Sequence, residues 1–210
     1  EILFLLIDLV KRGRLPHLNI WVDSPMATAA TNLTQHFFSQ MDSLSQDTFR
    51  WYKNHPDAVN LRFIADVEES KALNKIKGGA IIISASGMCD AGRVVHHLAS
   101  NLPRAQNAII ITGFQAYGSL GRRLVDKAQK VRLFGEEVPV KASIHTIGGL
   151  SAHADQAGLL DWLKGFDSAP KSIFVVHGEP ESSSVFAQSI RESLEWKNVI
   201  IPERLHTYEC

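Results

Sequence analysis

The alternation of apolar and polar positions along the chain predicts a mixed α/β protein. Apolar residues within 2–10 fall on one broad helical face. A short apolar run at 18–22 ends in Asp-Ser-Pro, the pattern of a strand followed by a turn. The Ala-rich segment 27–41 has helical spacing, and we expect its Leu33, Phe37 and Phe38 to face inward.

Between residues 47 and 130 the predicted helices and strands alternate regularly, which is typical of a parallel sheet with helices on both faces. After Lys130 the pattern changes, and residues 131–141 are predicted to form a hairpin. The strand-like runs are continuously apolar, as expected for strands buried on both sides. We expect two sub-domains that meet within residues 130–148, with a cleft between them. The predicted strands lie at 61–64, 80–83, 108–112, 131–134, 138–141, 143–147, 172–176 and 199–201, and the helices at 47–54, 68–76, 91–98, 120–126, 156–163 and 182–194.

Length and composition restrict the class of protein without identifying it. A chain of 210 residues that is 45% hydrophobic can bury a core in one large domain or two small ones. The 22 basic and 22 acidic residues balance, so any contact with a nucleic acid requires a local patch of donors. Two cysteines, Cys89 and Cys210, favour neither a disulfide framework nor a Cys-based zinc site, and they suit the reducing cytoplasm. The apolar segment 2–10 is too short to span a membrane.

Two loops that follow predicted strands have the composition of anion-binding loops. Open α/β sheets place their ligands at the carboxyl ends of their strands. The segment Ser-Ala-Ser-Gly-Met at 84–88 offers small residues and the hydroxyls of Ser84 and Ser86, although an ordinary strand–helix turn has the same composition. The segment 112–123 is polar and rich in glycine. Its Phe and Tyr could stack on a base, although a loop aromatic more often packs against its own domain.

Two histidines follow predicted strands and lie close to predicted helix starts. His153 stands in Leu-Ser-Ala-His-Ala-Asp, where Ser151 would cap a helix, and His177 directly follows the strand at 172–176. On residue types alone His177 is either a metal ligand or a loop residue without a role in chemistry. Zinc takes three or four ligands, so the others would have to come from elsewhere. His97, beside another histidine in a predicted helix, is expected to be solvated.

Five motifs, in this order and at this spacing, resemble the β-CASP branch of metallo-β-lactamase-fold RNA-processing nucleases. They are Asp-Ser-Pro-Met-Ala at 23–27, Ser-Ala-Ser-Gly-Met at 84–88, Thr-Gly-Phe-Gln-Ala-Tyr-Gly-Ser-Leu-Gly-Arg at 112–122, Leu-Ser-Ala-His-Ala-Asp at 150–155 and Val-His-Gly-Glu at 176–179. The resemblance covers essentially the whole chain. It implies an α/β fold, with a parallel-sheet β-CASP domain over residues 1–140 and the C-terminal part of a metallo-β-lactamase αββα domain over 141–210.

The resemblance also implies a chemistry. A whole enzyme of this kind hydrolyses RNA phosphodiesters, as an endoribonuclease or a 5′-exoribonuclease, with two zinc ions and a metal-bound hydroxide as the attacking group. His153 matches the motif B histidine, which contacts the scissile phosphate and assists the leaving group. His177 matches the motif C zinc ligand, and a histidine at that position favours RNA over DNA. The residues expected to hold the RNA backbone, with little base readout, are Ser84, Ser86, Gly87, Thr112, Gly113, Gln115, Arg122 and Ser151.

Part of the family pattern does not occur in these residues. The His-x-His-x-Asp-His signature, which supplies most zinc ligands and the water-activating Asp, is missing, and the motif A acid that pairs with His153 would precede Glu1. We therefore expect a C-terminal fragment that is inactive by itself, with zinc absent or weakly bound. We expect it in the cytoplasm, with RNA as its partner and no membrane contact. We also expect an apolar sheet face left bare, so that the fragment either forms homo-oligomers or leaves part of 141–210 poorly ordered.

Two other functions stay open on the sequence. One is a non-catalytic module that binds nucleic acid or phosphate and whose metal site has degenerated. An intact His-x-His-x-Asp-His elsewhere in the whole protein would argue against that module. The other is a lactamase-fold hydrolase of small esters or thioesters, which the polar loop at 112–123 argues against. An RNA degradation assay separates an RNase from both.

Overall fold

The computed structural model describes residues 1–150 and 153–208, which fall into two compact units, Glu1–Ser151 and Ala152–Cys210. The first unit contains α1 (Ile2–Lys11), β1 (Leu18–Asp23), α2 (Pro25–His36), α3 (Ser43–Asn54), β2 (Val59–Phe63), α4 (Val67–Leu73), β3 (Ile81–Ser84), α5 (Arg93–Asn101), β4 (Ala108–Ile111), α6 (Leu120–Val125), β5 (Lys130–Leu133), β6 (Glu136–Pro139) and β7 (Ser143–Thr146). The second contains α7 (Gln156–Leu163), β8 (Ile173–Phe174), α8 (Pro180–Leu194) and β9 (Val199–Ile200). The element types agree with the sequence predictions, and the bounds differ by a few residues.

A three-stranded parallel sheet in the order β2–β1–β3 lies in one of the apolar clusters of the first unit. The central strand carries Ile20, which is fully buried and pairs with Leu61 on one side and Ile81 on the other. Ile7 of α1 and Trp51 of α3 belong to the same apolar cluster. The parallel arrangement confirms the predicted fold class. It also brings the carboxyl ends of the three strands to one edge, where polar residues follow each strand.

A second parallel pair, β4 with β7, belongs to the same unit together with the antiparallel hairpin β5–β6. The hairpin packs Val131 and Leu133 into a cluster with Leu102 and Leu124. Residues 130–146 therefore lie within the first compact unit, and the two units divide after residue 151. The assignment of residues 1–140 to a β-CASP domain and 141–210 to a lactamase domain remains a prediction about evolutionary units.

Two burial predictions were wrong. We expected β4 to be buried on both faces, but its Ile110 is 58% exposed while Ile111 is buried, because in this structure a cluster of side chains covers only one face. We expected Leu33 and Phe37 to face inward, but Leu33 is 60% exposed and no residue of α2 is buried. The helix is instead fixed at its start by Ser24, whose hydroxyl accepts a hydrogen bond from the Ala27 amide at 3.2 Å.

The second unit is a small α/β arrangement in which β8 and β9 pair in parallel. Helix α8 supplies Ala187 and Ile190 to its core, where Leu163 of α7 and Val199 of β9 are also buried. Within the described ranges 1–150 and 153–208, no helix has both the length and the apolar character needed to cross a bilayer.

Candidate functional site

The carboxyl end of β1 carries a buried aspartate that contacts polar side chains from two helices. Asp23 is fully buried, and its carboxylate accepts hydrogen bonds from Arg93 Nη1 at 2.5 Å, Ser70 Oγ at 2.5 Å and the imidazole of His97 at 2.6 Å. Burial raises the pKa of Asp23, but the hydrogen bonds from Ser70, Arg93 and His97 together outweigh it, so the pKa lies below its ordinary value. Asp23 is therefore held as a carboxylate that ties α4 and α5 to the end of the central strand.

This Asp23 cluster (Asp23, Ser70, Arg93, His97 and Asn74) was missed by the sequence analysis. We expected His97 to be solvated, but it is buried, and its Nδ1 lies 2.8 Å from Asn74 Oδ1 while Nε2 faces Asp23. A signal was available, because Arg93 and His97 are four residues apart and therefore share one face of α5. The partner on that face, 74 residues earlier in sequence, could not be read from local spacing.

In the first predicted anion-binding loop, which follows β3, the last residue before α5 approaches the first residue after the strand. Ser84 Oγ donates to the Asp23 carbonyl at 3.0 Å, so this hydroxyl is engaged within the protein. Gly92 has φ +79°, and a Cβ there would lie 3.1 Å from Ala85 O, so the close approach of the two ends requires glycine. Helix α5 starts at Arg93, whose guanidinium turns to Asp23 and to backbone carbonyls. Helix α5 thus begins two residues after the predicted start at residue 91.

The second predicted loop, residues 112–119, is joined to the first by several hydrogen bonds. Gln115 Nε2 donates to Gly87 O at 2.9 Å, and the amide of Ala116 donates to Met88 Sδ at 3.2 Å. The amide of Gly121 donates to Met88 O at 3.0 Å. The structure thus brings together the two segments that sequence analysis selected separately, and it does so within one compact unit.

The structure gives Gln115 a different role from the one we predicted. We expected its side chain to hold an RNA phosphate, but it is buried, and its amide nitrogen donates to three carbonyls, those of Gly87, Gly113 and Phe114. A buried amide whose nitrogen is engaged in this way has no donor directed to solvent. Gln115 therefore fixes the joined loops, and phosphate contact has to come from their exposed residues.

The other predicted backbone-binding residues differ in how accessible they are. Gly87 and Gly113 are exposed, whereas Ser86, Thr112 and Arg122 are partly buried. Arg122 Nε donates to both carboxylate oxygens of Asp126, at 3.0 and 2.9 Å, one helical turn further along α6. The last predicted member, Ser151, lies outside the described residues.

The two candidate histidines both lie in the second unit and are both exposed. His153 stands two residues before Asp155, the residue that caps α7 through a 2.8 Å hydrogen bond to the Gly158 amide. His177 follows β8 and has φ +63°, in the left-handed region that few residues other than glycine adopt. Next to it, a Cβ on Gly178 would lie 2.5 Å from Ser183 Oγ of α8, so a larger residue there would have to displace that hydroxyl. The His177 turn therefore combines left-handed backbone with a close approach to α8.

Within residues 1–150 and 153–208, no group of three or more His, Cys, Asp or Glu side chains is arranged to hold a metal ion. An exposed imidazole such as His177 is a suitable zinc ligand, but zinc requires three or four ligands. The described residues alone therefore do not fit a zinc ion. The convergence of His153 and His177 on one pocket remains a prediction.

Two protein-family models match the chain and together cover most of it. Residues 1–124 match the model described as the Beta-Casp domain. Residues 137–202 match the model described as the Zn-dependent metallo-hydrolase RNA specificity domain. The first match ends at α6 and the second begins within β6, so the joined loops and the two histidines fall under different models.

Curated relatives carry names from RNA metabolism. A ribonuclease of Thermus thermophilus is 40% identical over 168 residues, which is 80% of this chain and 38% of the relative. An RNase J-like protein of Methanocaldococcus jannaschii is 31% identical over 202 residues, 96% of this chain and 44% of the relative. A transcription termination factor, FttA, of Pyrococcus abyssi is 33% identical over 132 residues, 60% of this chain and 20% of the relative. The chain thus spans less than half the length of each of these three proteins.

Proposed function

Because this chain belongs to the β-CASP family of metallo-β-lactamase-fold nucleases, we propose that the whole protein hydrolyses RNA phosphodiester bonds. The names of its relatives, a ribonuclease and an RNase J-like protein, support this reaction. The same proposal includes a β-CASP domain over residues 1–140, a lactamase-domain segment over 141–210, and a cytoplasmic location.

The observation that carries this proposal is the constrained turn at His177. An exposed imidazole stands three residues after β8, on left-handed backbone, and is followed by Gly178, which lies close to α8. Backbone strain of this kind costs of order 1–3 kcal/mol and is concentrated at functional sites. The turn lies in the segment matched by the zinc-dependent metallo-hydrolase model. We assign His177 as one zinc ligand and His153 as the residue that contacts the scissile phosphate.

In this proposal, only the whole protein has a complete zinc site. His177 supplies one ligand, and the described residues do not supply the two or three others that a tetrahedral site needs. When bound, zinc would provide Lewis-acid chemistry at the phosphate. We accordingly expect the 210-residue chain to bind zinc weakly and to lack RNase activity by itself.

The joined loops of the first unit, residues 84–88 and 112–119, are the candidate binding site for the RNA backbone. Their exposed glycines, Gly87 and Gly113, let a phosphate approach backbone amides closely, and the hydroxyls of Ser86 and Thr112 add donors. Arg122 can contribute charge, although Asp126 partly offsets it. Contacts of this type position the backbone without reading bases, so we expect low sequence specificity.

Alanine substitution in the full-length protein tests the assignment. We expect His153→Ala and His177→Ala each to reduce the rate of RNA cleavage by at least about a hundredfold, since loss of a metal or phosphate contact typically costs this much. We also expect His177→Ala to lower the zinc content of the purified protein. His206→Ala, an exposed histidine of the same unit with no proposed role, is the matched control and should cleave like wild type.

Two results would overturn the proposal. Near wild-type cleavage by either variant would refute the assignment of the two histidines. A wild-type protein that binds RNA without cleaving it, with zinc supplied, would favour a non-catalytic RNA-binding module instead.

A further inference from the structure

The aromatic side chain of Phe114, in the second loop, projects into solvent. Phe114 is 64% exposed. Burying an aromatic ring stabilises a protein by roughly 1.5–3 kcal/mol, so a loop aromatic ordinarily packs against its own domain. Phe114 departs from that ordinary role, because most of its surface stays accessible to solvent.

The backbone that carries Phe114 is held in place on both sides of the ring. The Gln115 side chain donates to Phe114 O at 2.9 Å and to Gly87 O at 2.9 Å. Further along, the Leu120 amide donates to Asp90 Oδ1 at 2.7 Å, and Ser119 Oγ donates to Ala116 O at 2.7 Å. The ring therefore projects from an ordered loop. A ligand that binds it would lose little additional backbone entropy.

The charge around the ring suits a polyanion. Residues 112–123 contain no acidic side chain and end in Arg122 and Arg123. Arg122 is paired with Asp126 at 2.9 Å, while Arg123 is exposed on α6. The exposed glycine Gly113 directly precedes the ring. The aromatic ring thus belongs to a segment whose own side chains carry positive charge and no negative charge, although Asp90 contacts it at Leu120.

We propose that Phe114 stacks on an unpaired base of the RNA. This inference rests on the proposed function and adds a base-contacting residue to it. Every base has a π face, so stacking binds RNA without reading its sequence.

Substitutions of Phe114 in the full-length protein test this inference. Two fluorescein-labelled probes are compared in the presence of a chelator, which prevents cleavage: a single-stranded oligouridylate and an oligonucleotide of the same length built from abasic spacers. We expect Phe114→Leu, which keeps apolar bulk but removes the π face, to weaken binding of the oligouridylate by about tenfold, within the range for one base stacked on one ring. We expect binding of the abasic probe to be unchanged.

Two further variants separate stacking from other roles of the ring. Phe114→Trp should retain wild-type affinity for the oligouridylate, because tryptophan also offers a π face. Phe134→Leu is the matched control, since Phe134 is likewise an exposed aromatic residue but lies on the turn between β5 and β6. It should leave the affinity for both probes unchanged.

Several outcomes would overturn the inference. Equal loss of affinity for both probes in Phe114→Leu would mean that the ring does not contact a base. A fall in the melting temperature of Phe114→Leu with unchanged affinity would mean that the ring packs against another part of the protein. If wild type cleaves RNA and Phe114→Leu binds like wild type, stacking fails while the proposed function stands. If the protein does not cleave RNA but the probe difference is found, hydrolysis fails and stacking stands.

Discussion

The side-chain oxygen of Gln115 lies where a Cβ on Gly121 would have to be, only 1.6 Å from its ideal position. Gln115 Oε1 is buried and, among the described residues, accepts no hydrogen bond, while the amide nitrogen donates to three loop carbonyls. The absence of a side chain at Gly121 is therefore what allows Gln115 to enter the joined loops and fix them. Gly121 and Gln115, both in the motif at 112–122, therefore depend on each other through packing.

Replacing Gly121 by alanine should destabilise the protein. Helix propensity in α6 favours alanine over glycine by up to about 1 kcal/mol. The added methyl group, however, displaces Gln115 and leaves buried partners unpaired, at about 1–3 kcal/mol each. We expect a net loss of roughly 2 kcal/mol, measured by denaturant unfolding. Gly113→Ala is the control, because nothing lies within 4 Å of its Cβ position, and a Gly121→Ala variant as stable as wild type would contradict the role given to Gln115.

The Asp23 cluster should make stability depend on pH in the acid range. The folded-state pKa of Asp23 lies below its ordinary value of 3.8, so its contribution is fully present above 3.8 and is lost as the pH falls from there toward the lowered pKa. At neutral pH we expect Asp23→Asn to cost roughly 3 kcal/mol, because Arg93 and His97 lose a buried carboxylate partner. The stability difference between wild type and variant should narrow as the pH falls below 3.8.

Urea unfolding of both proteins at a series of pH values provides the measurement. Asp47→Asn serves as the control, since Asp47 is exposed and its 3.5 Å pair with Arg50 lies on the surface. A difference between wild type and Asp23→Asn that stays constant down to acid pH would show that the cluster does not hold Asp23 as a carboxylate.

The sequence predicted the element order and the family because both depend on local patterns. Hydrophobic spacing gave every helix and strand of the described residues within a few positions, as for α7 and β7. Motif order gave the family, which the matched domain models confirm. The loops that follow β3 and β4 were selected separately from the sequence, because each is polar and follows an apolar strand, and their contact with each other was not predicted.

Predictions from the sequence were wrong for side chains whose hydrogen-bond partners are distant in sequence. Gln115 was counted as a donor to phosphate, although its partner Gly87 lies 28 residues away in the other loop. His97 was expected to be solvated, although Asp23 is 74 residues away. Residue type shows which hydrogen bonds a side chain is able to donate. Whether the acceptor is water, a ligand or another segment of the protein depends on the tertiary fold.

Ile110 should cause the isolated chain to self-associate. It is 58% exposed in β4, and among the described residues β4 and β7 form a two-stranded sheet, so each strand has an open edge. We expect the sedimentation coefficient of the chain to rise with concentration, and Ile110→Thr to reduce that rise. Val67→Thr, an exposed apolar residue on α4, is the control. A wild-type chain that stays monomeric at all concentrations would contradict this expectation.

His177 should show an unusual order of stability among its variants. At φ +63° a Cβ is unfavourable by roughly 1–2 kcal/mol, so glycine should be more stable than alanine here by about that amount. Glycine has the larger unfolded-state entropy, which offsets up to about 1 kcal/mol of this gain. We therefore expect His177→Gly to be about as stable as wild type and more stable than His177→Ala, while both lose RNA cleavage in the full-length protein.

Glu195 offers the matched comparison for that prediction. It ends α8 with φ +57°, so Glu195→Gly should likewise be more stable than Glu195→Ala, because glycine adopts this conformation without a Cβ clash. Glu195 has no proposed contact with RNA or metal, so both of its variants should cleave RNA at the wild-type rate. Suppose that the glycine variant is more stable than the alanine variant at both positions, and that cleavage is lost only at His177. The loss of cleavage would then be due to the missing imidazole and not to a change in backbone strain. If His177→Gly retained cleavage, the strained turn would have to be explained by packing alone.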